Sequence, residues 1–180
     1  TFKLKHEIDT GSVMFQEKVK ISETTTAGEL HDALMAVGAE LILKTVQTIE
    51  SGNYELKQQD DSGAIHAPKI FKETCQIDWN KPVTEIYNLI RGLSPYPAAF
   101  TEFIDVKGQL NSLKIYFGTA EVKAHNSANG ELLTDGKTYL QVACANGILS
   151  ITELQLQGKK KMKTEEFLRG YKFPDKTIFK

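Results

Sequence analysis

A lone carboxylate stands where an early strand-like pattern breaks, in Ile8-Asp9-Thr10-Gly11-Ser12. An Asp ahead of Thr-Gly can close a turn by accepting from backbone amides two residues on. It can also bind a metal or take part in proton transfer. His6 lies three residues before it and reads as a strand or surface histidine. At the other end of the chain, Lys159, Lys160, Lys161 and Lys163 crowd one short stretch after Gly158. Like charges this close sit comfortably only in water or against an anion. The stretch is therefore either a solvated basic turn or a phosphate contact, and each phosphate neutralised would add about 0.7–0.9 to the log–log salt slope of binding. Lys114, Lys123 and Lys137 extend such a patch if their strands face together. His31, His66 and His125 are scattered, and Cys75 and Cys144 form no C-x-x-C pair, so no metal site is expected.

The whole-chain charge does not by itself point to a polyanion. Lys and Arg number 22 against 23 Asp and Glu, so any nucleic-acid surface must be a local patch. With 41% hydrophobic and 25% charged residues over 180 positions, the composition is that of one ordinary globular domain or two small ones. The longest apolar runs, such as Ala33 to Val37 and Leu41-Ile42-Leu43, are far short of the ~20 residues that span a bilayer. The two cysteines are distant from each other and have apolar neighbours, which predicts small, reduced, buried side chains and a cytoplasmic location. Thr1-Phe2-Lys3-Leu4-Lys5 lacks the apolar core of a signal peptide and opens in a strand-like pattern, as a trimmed chain would.

These residues need elements to position them. Phe2, Leu4 and Ile8, then Val13, Phe15, Val19 and Ile21, predict two strands joined through Asp9-Thr10-Gly11, with Gly11 free to take positive φ. Thr26 and Glu29 have capping-box spacing. Leu30, Leu34, Val37 and Leu41, widened by Ile42, Val46 and Ile49, then mark an amphipathic helix with one broad apolar face to bury, ended by Ser51-Gly52. Residues 55–76 show no period and read as a linker. Asn80 can cap a second helix striped by Ile86, Ile90 and Leu93 and stopped by Gly92, Pro95 and Pro97. Trp79, the only tryptophan, is placed to anchor that helix, with Asp78 bonding nearby backbone. Five β-rich runs follow: 99–104, 113–117, 120–124, 138–145 and 148–156. Asn146-Gly147 between the last two is a hairpin signal, and five short strands suggest a small closed barrel. Tyr116, Phe117 and Tyr139 are expected in its core, and 164–169 as a short final helix.

Four stretches taken together carry a family resemblance: Ile8-Asp9-Thr10-Gly11-Ser12, Cys75-Gln76-Ile77-Asp78-Trp79, Arg91-Gly92-Leu93-Ser94-Pro95-Tyr96-Pro97 and Gly158-Lys159-Lys160-Lys161-Met162. In this order and spacing the chain resembles the second half of the methionyl-tRNA formyltransferases, over essentially its whole length. Asp-Thr-Gly also resembles the aspartic protease signature, but no second copy or flap element accompanies it. The formyltransferase resemblance implies transfer of a formyl group from 10-formyltetrahydrofolate to the methionine amino group of initiator Met-tRNA, in translation initiation. It implies an α+β fold: residues 1–54 as the strand-turn-strand-helix tail of an α/β formyltransferase domain, 55–76 as linker, and 77–180 as a small OB-like tRNA-binding barrel with flanking helices. Asp9 matches the family's catalytic aspartate, which orients and stabilises the charged catalytic imidazole. Ser12 departs from the Asp that many members carry there. Lys159, Lys160, Lys161, Lys163 and Arg91 become tRNA-binding candidates, although Arg91 can equally pair with Glu85 or cap carbonyls. The resemblance places most of the donor site, the catalytic His and the oxyanion donors upstream, in residues absent here. It therefore implies a chain inactive alone, which self-associates through residues 1–50 where an apolar helix face is left uncovered. A stand-alone RNA-binding barrel without catalysis is the alternative.

Overall fold

The computed structural model describes residues 1–180, the side chain of Asp61 excepted. Backbone contacts divide the chain into two units, Thr1–Thr25 with Glu29–Lys69, and Thr26–Gly28 with Ile70–Lys180.

In the first unit the two expected strands shrink to two residues each. β1 (Phe2–Lys3) pairs antiparallel with β2 (Ser12–Val13). The remaining apolar positions, 14–25, take no regular strand. Gly11 serves a different purpose from the one its turn position suggests. Asp9 takes the left-handed backbone, with φ +61°. Gly11 is where the backbone passes Lys3: a Cβ there would lie 2.2 Å from the Lys3 carbonyl oxygen. The helix α1 (Ala27–Ser51) follows at the expected place, and Gly52 ends it with φ +73° and an amide donated to the Ile49 carbonyl. Its apolar stripe is uncovered: no residue of α1 is buried, and Leu34, Ile42, Val46 and Ile49 are each about half exposed.

The second unit holds the core. α2 (Val83–Leu93) buries Val83, Ile86, Ile90 and Leu93, the stripe expected from spacing. Its cap is not Asn80, which instead receives two bonds' worth of attention from Asp78: Asn80 N and Nδ2 both donate to Asp78 Oδ1 at 3.0 Å. Pro82 occupies the position before the helix and has no side-chain oxygen to offer. The cap comes from far along the chain, since the Val83 amide donates to Asn146 Oδ1 at 2.9 Å. Gly92 is inside the helix, which ends before the Pro95–Pro97 corner.

β3 (Ala99–Ile104), β4 (Leu110–Val122), β5 (Leu132–Thr134), β6 (Leu140–Cys144), β7 (Gly147–Leu156) and β8 (Met162–Lys163) form one antiparallel sheet ordered β3-β4-β7-β6-β5, with β8 on β7. The two runs expected at 113–117 and 120–124 are one strand, β4, carried through register shifts against β7 around Phe117, where the curled sheet bends. The β6–β7 connection is Ala145-Asn146, since Cys144 pairs with Gly147. Gly147 is therefore a strand residue, and β5 and β8 are too short to show a period.

The sheet does not close by pairing its own end strands. Residues 177–180 bridge the ends instead: Lys180 exchanges both backbone hydrogen bonds with Glu102 on β3. On the other side, Leu132 N donates to Thr177 O at 3.0 Å and Phe179 N to Gly130 O at 2.8 Å. Inside, Phe103 is enclosed by Tyr171, Phe173 and Phe179. Trp79 is buried and donates Nε1 to Thr101 Oγ1 at 3.0 Å, fixing the entry to α2. α3 (Thr164–Gly170) packs Phe167 and Leu168 into the same core. Both cysteines are buried and free, and burial pushes the Cys144 thiol up to about 11.

Candidate functional site

The basic stretch is a tight connection between β7 and β8, and its neighbours hold it from below. Gly158 has φ +73°, and the Lys159 amide donates to the Leu156 carbonyl at 2.9 Å. Gln155 Nε2 donates to the Lys159 carbonyl at 2.8 Å, while Gln155 Oε1 accepts from Tyr116 Oη at 2.7 Å. A buried tyrosine on β4 thus braces the loop through one amide side chain.

The four lysines do not share one environment. Lys161 Nζ donates to Glu153 Oε2 at 2.8 Å and lies 5.2 Å from the Tyr116 ring centroid and 5.8 Å from that of Phe117. Its charge is already answered within the fold. Lys159 and Lys160 are exposed, and their ammonium groups have no partner among the described residues. Lys163, on β8 opposite Glu153, lines a cavity of about 450 Å³ with Tyr139, Glu165 and Arg169. Phe117 on β4 and Tyr139 just ahead of β6, both expected in the core, are 41% and 43% exposed, and of the three only Tyr116 is buried.

Of the lysines expected to extend the patch, only Lys114 does so. It lines a cavity of about 430 Å³ beside the loop, together with Lys72, Gln155 and Gly158. Lys123 pairs with Glu121 at 2.5 Å, and Lys137 sits in a turn organised by Asp135. That carboxylate is held well below the usual range by hydrogen bonds from Thr138 and the amide of Lys137. Arg91 is on the last turn of α2, where its Nε donates to Asn88 Oδ1 at 2.8 Å, and it does not line the cavity beside the loop. Lys72 was not foreseen, because it follows a stretch without a period.

Asp9 belongs to the other unit. Gln59 Nε2 donates to the carbonyls of both Asp9 and Gly11 at 2.7 Å, clamping the turn. The Asp9 carboxylate is exposed and makes no hydrogen bond among the described residues. His6 is also exposed. A cavity in this unit, about 240 Å³, is lined by Glu17, Lys18, Val37, Glu40, Leu41 and Lys44 and does not include Asp9. Pockets that enclose a drug-sized ligand run to about 300–1,000 Å³. That cavity is below this range, and Asp9 is not among the residues that line it. Among the described residues no group of three His, Cys, Asp or Glu side chains is placed to hold a metal, and no helix is long and apolar enough to cross a membrane.

Residues 69–172, more than half of the chain, match the family described as formyl transferase, C-terminal domain. The chain belongs to that family. The formyl transferase C-terminal domain so defined takes in α2, the sheet and the basic loop. The similarity to named relatives runs further. A methionyl-tRNA formyltransferase of Bacteroides thetaiotaomicron is 45% identical over 97% of this chain and 56% of its own length. One from Phocaeicola vulgatus is 47% identical over 97% of the chain and 56% of its own length. The chain thus spans about half the length of the curated relatives it matches. Among solved structures, HypX from Aquifex aeolicus in complex with tetrahydrofolic acid superposes with a TM-score of 0.66 at 17% identity, over 99% of this chain and 33% of that one. WlaRD, a sugar 3N-formyl transferase, gives 0.59 at 21% identity, over 88% of this chain and 54% of that one. At these identities the formyl transferase C-terminal domain shares a fold with both.

Proposed function

We propose that this chain is the tRNA-holding portion of a methionyl-tRNA formyltransferase, working in translation initiation in the cytoplasm. The reading rests on the 45–47% identity to proteins of that name across 97% of the chain. A stand-alone RNA-binding barrel is not favoured, because the similarity continues through residues 1–68, outside the barrel. The partner is initiator Met-tRNA, and 10-formyltetrahydrofolate supplies the formyl group when bound. Its pocket is drawn mainly from residues outside this chain. Lys159 and Lys160 face phosphates, Lys163 and Arg91 give weaker outlying contacts, and Lys161 chiefly shapes the loop. Asp9 stabilises a charged imidazole supplied by other residues, and its turn is held by Gln59 rather than by its own carboxylate.

Initiator tRNA binding measured across salt concentrations tests the interface. Replacing Lys159 and Lys160 together by Ala should lower the magnitude of the log–log slope by about 1.4–1.8, two phosphates' worth. Lys161→Ala should change it less than either single loss. An unchanged slope in the double variant returns the loop to a solvated turn. The same chain, purified free of host enzyme, should show no formyl transfer, since the family resemblance puts the catalytic His and the oxyanion donors in other residues. Turnover above background would overturn the assignment of those groups elsewhere.

A further inference from the structure

The cavity beside the basic loop is half of a longer groove. A second cavity of about 390 Å³ shares Lys72, Ser112 and Lys114 with it and continues past Phe71, Tyr96 and Phe100. No Asp or Glu lines either one. In a chain of net charge −1 that makes the lining locally cationic, with Glu102 opposite Ser112 on β3 the near carboxylate. The two lysines are positioned rather than loose. Lys114 Nζ donates to the Pro97 carbonyl at 3.1 Å, which leaves further N–H donors to point into the groove. Lys72 Nζ lies 5.7 Å from the Phe100 ring. The far end is aromatic and open: Tyr96 is 85% exposed and Phe71 57%. Tyr96 is also held between Pro95 and Pro97, whose rings limit the backbone freedom around it. A large ring kept in water on a restrained backbone is a platform without a partner.

Flat rings at one end and lysines along the floor suit a strand with π-faces and a phosphate backbone. A duplex presents its phosphates but keeps its base faces stacked inside. We propose that this groove binds an unpaired stretch of RNA, with a base stacked on Tyr96 and its phosphates against Lys72 and Lys114. The inference rests on the tRNA-holding reading and deepens it, by naming unpaired nucleotides as what the β3–β4–β7 face takes.

Fluorescence anisotropy with the full chain tests this, using a short unstructured oligoribonucleotide and a blunt RNA hairpin stem carrying equal phosphates. The single strand should bind more tightly. Tyr96→Ala, at an exposed position that leaves the core intact, should weaken it at least about fivefold with no change in salt slope. Lys72→Gln should lower the slope by about 0.7, as should Lys114→Gln, which also loses the Pro97 bond. Equal binding of the two RNAs, an unaffected Tyr96→Ala variant, or equal competition by polyglutamate would overturn the proposal. If initiator tRNA still depends on Lys159 and Lys160 while Tyr96→Ala has no effect, only the groove assignment falls. If no RNA binds at any salt, the tRNA-holding reading falls with it.

Discussion

Phe103→Ala should cost the barrel unit about 3–5 kcal/mol, the range for removing a fully buried ring. Phe103 has no exposed surface. Its ring centroid lies 5.1 Å from that of Phe173, 5.7 Å from Phe179 and 6.3 Å from Tyr171. Those three rings come from the segment after α3, so losing Phe103 leaves a void that the sheet cannot fill without releasing that segment. Trp79 is the only tryptophan, is buried in the same unit and lies 6.0 Å from the Phe179 ring. Denaturant unfolding followed by its fluorescence therefore reports this unit specifically, which matters because a two-unit chain has no single unfolding free energy. A loss below about 1 kcal/mol would mean that the aromatic cluster is not the core it looks to be.

Gly147→Ala should be nearly as damaging, at about 3 kcal/mol, the upper part of the range for overpacking. A Cβ at this position would lie 2.3 Å from the Glu121 carbonyl oxygen and 2.7 Å from Val83 Cγ1. One obstacle is backbone of β4 and the other is the first residue of α2, so neither can swing aside. The change also disturbs Asn146, whose Oδ1 caps that helix. Gly92→Ala is the matched control: a Cβ there meets nothing within 4 Å, and helix propensity favours Ala. The same fluorescence experiment should show a large drop for Gly147→Ala and none for Gly92→Ala. Similar behaviour of the two variants would contradict the close crossing of β4, β7 and α2.

The sequence pattern made some of this visible for clear reasons. The α2 stripe was legible because Ile86, Ile90 and Leu93 repeat at helical spacing, and α1 because both its period and its Ser51-Gly52 stop are local. The long strands β3, β6 and β7 were legible from β-rich runs between turn residues. What escaped was set by partners distant in sequence. The Asn146 cap of Val83 spans 63 positions, and nothing near Asn80 or Pro82 reveals it. Phe15, Val19 and Ile21 continue a period-two pattern yet form no strand, because such a pattern specifies a face and not a partner. The basic loop stood out as a charge cluster. Its inequality did not, since Lys161 is distinguished from Lys159 only by Glu153, Tyr116 and Phe117 on neighbouring strands. The groove beside it was invisible for the same reason, as Lys72, Tyr96 and Lys114 meet only once the sheet has formed.

The bridge made by residues 177–180 has an energetic corollary. β3 and β5 stand at opposite ends of the sheet order and share no ladder. Thr101 Oγ1 nonetheless donates to the Lys180 carbonyl, 79 positions away, while a Cβ at Gly130 would lie 2.4 Å from the carbonyl oxygen of Phe179. A side chain at Gly130 must displace Ile178 and Phe179, which precede Lys180 in the same short segment. Mutations at these two sites should thus be non-additive although the sites do not touch, since each acts on a single short segment that is either docked or released.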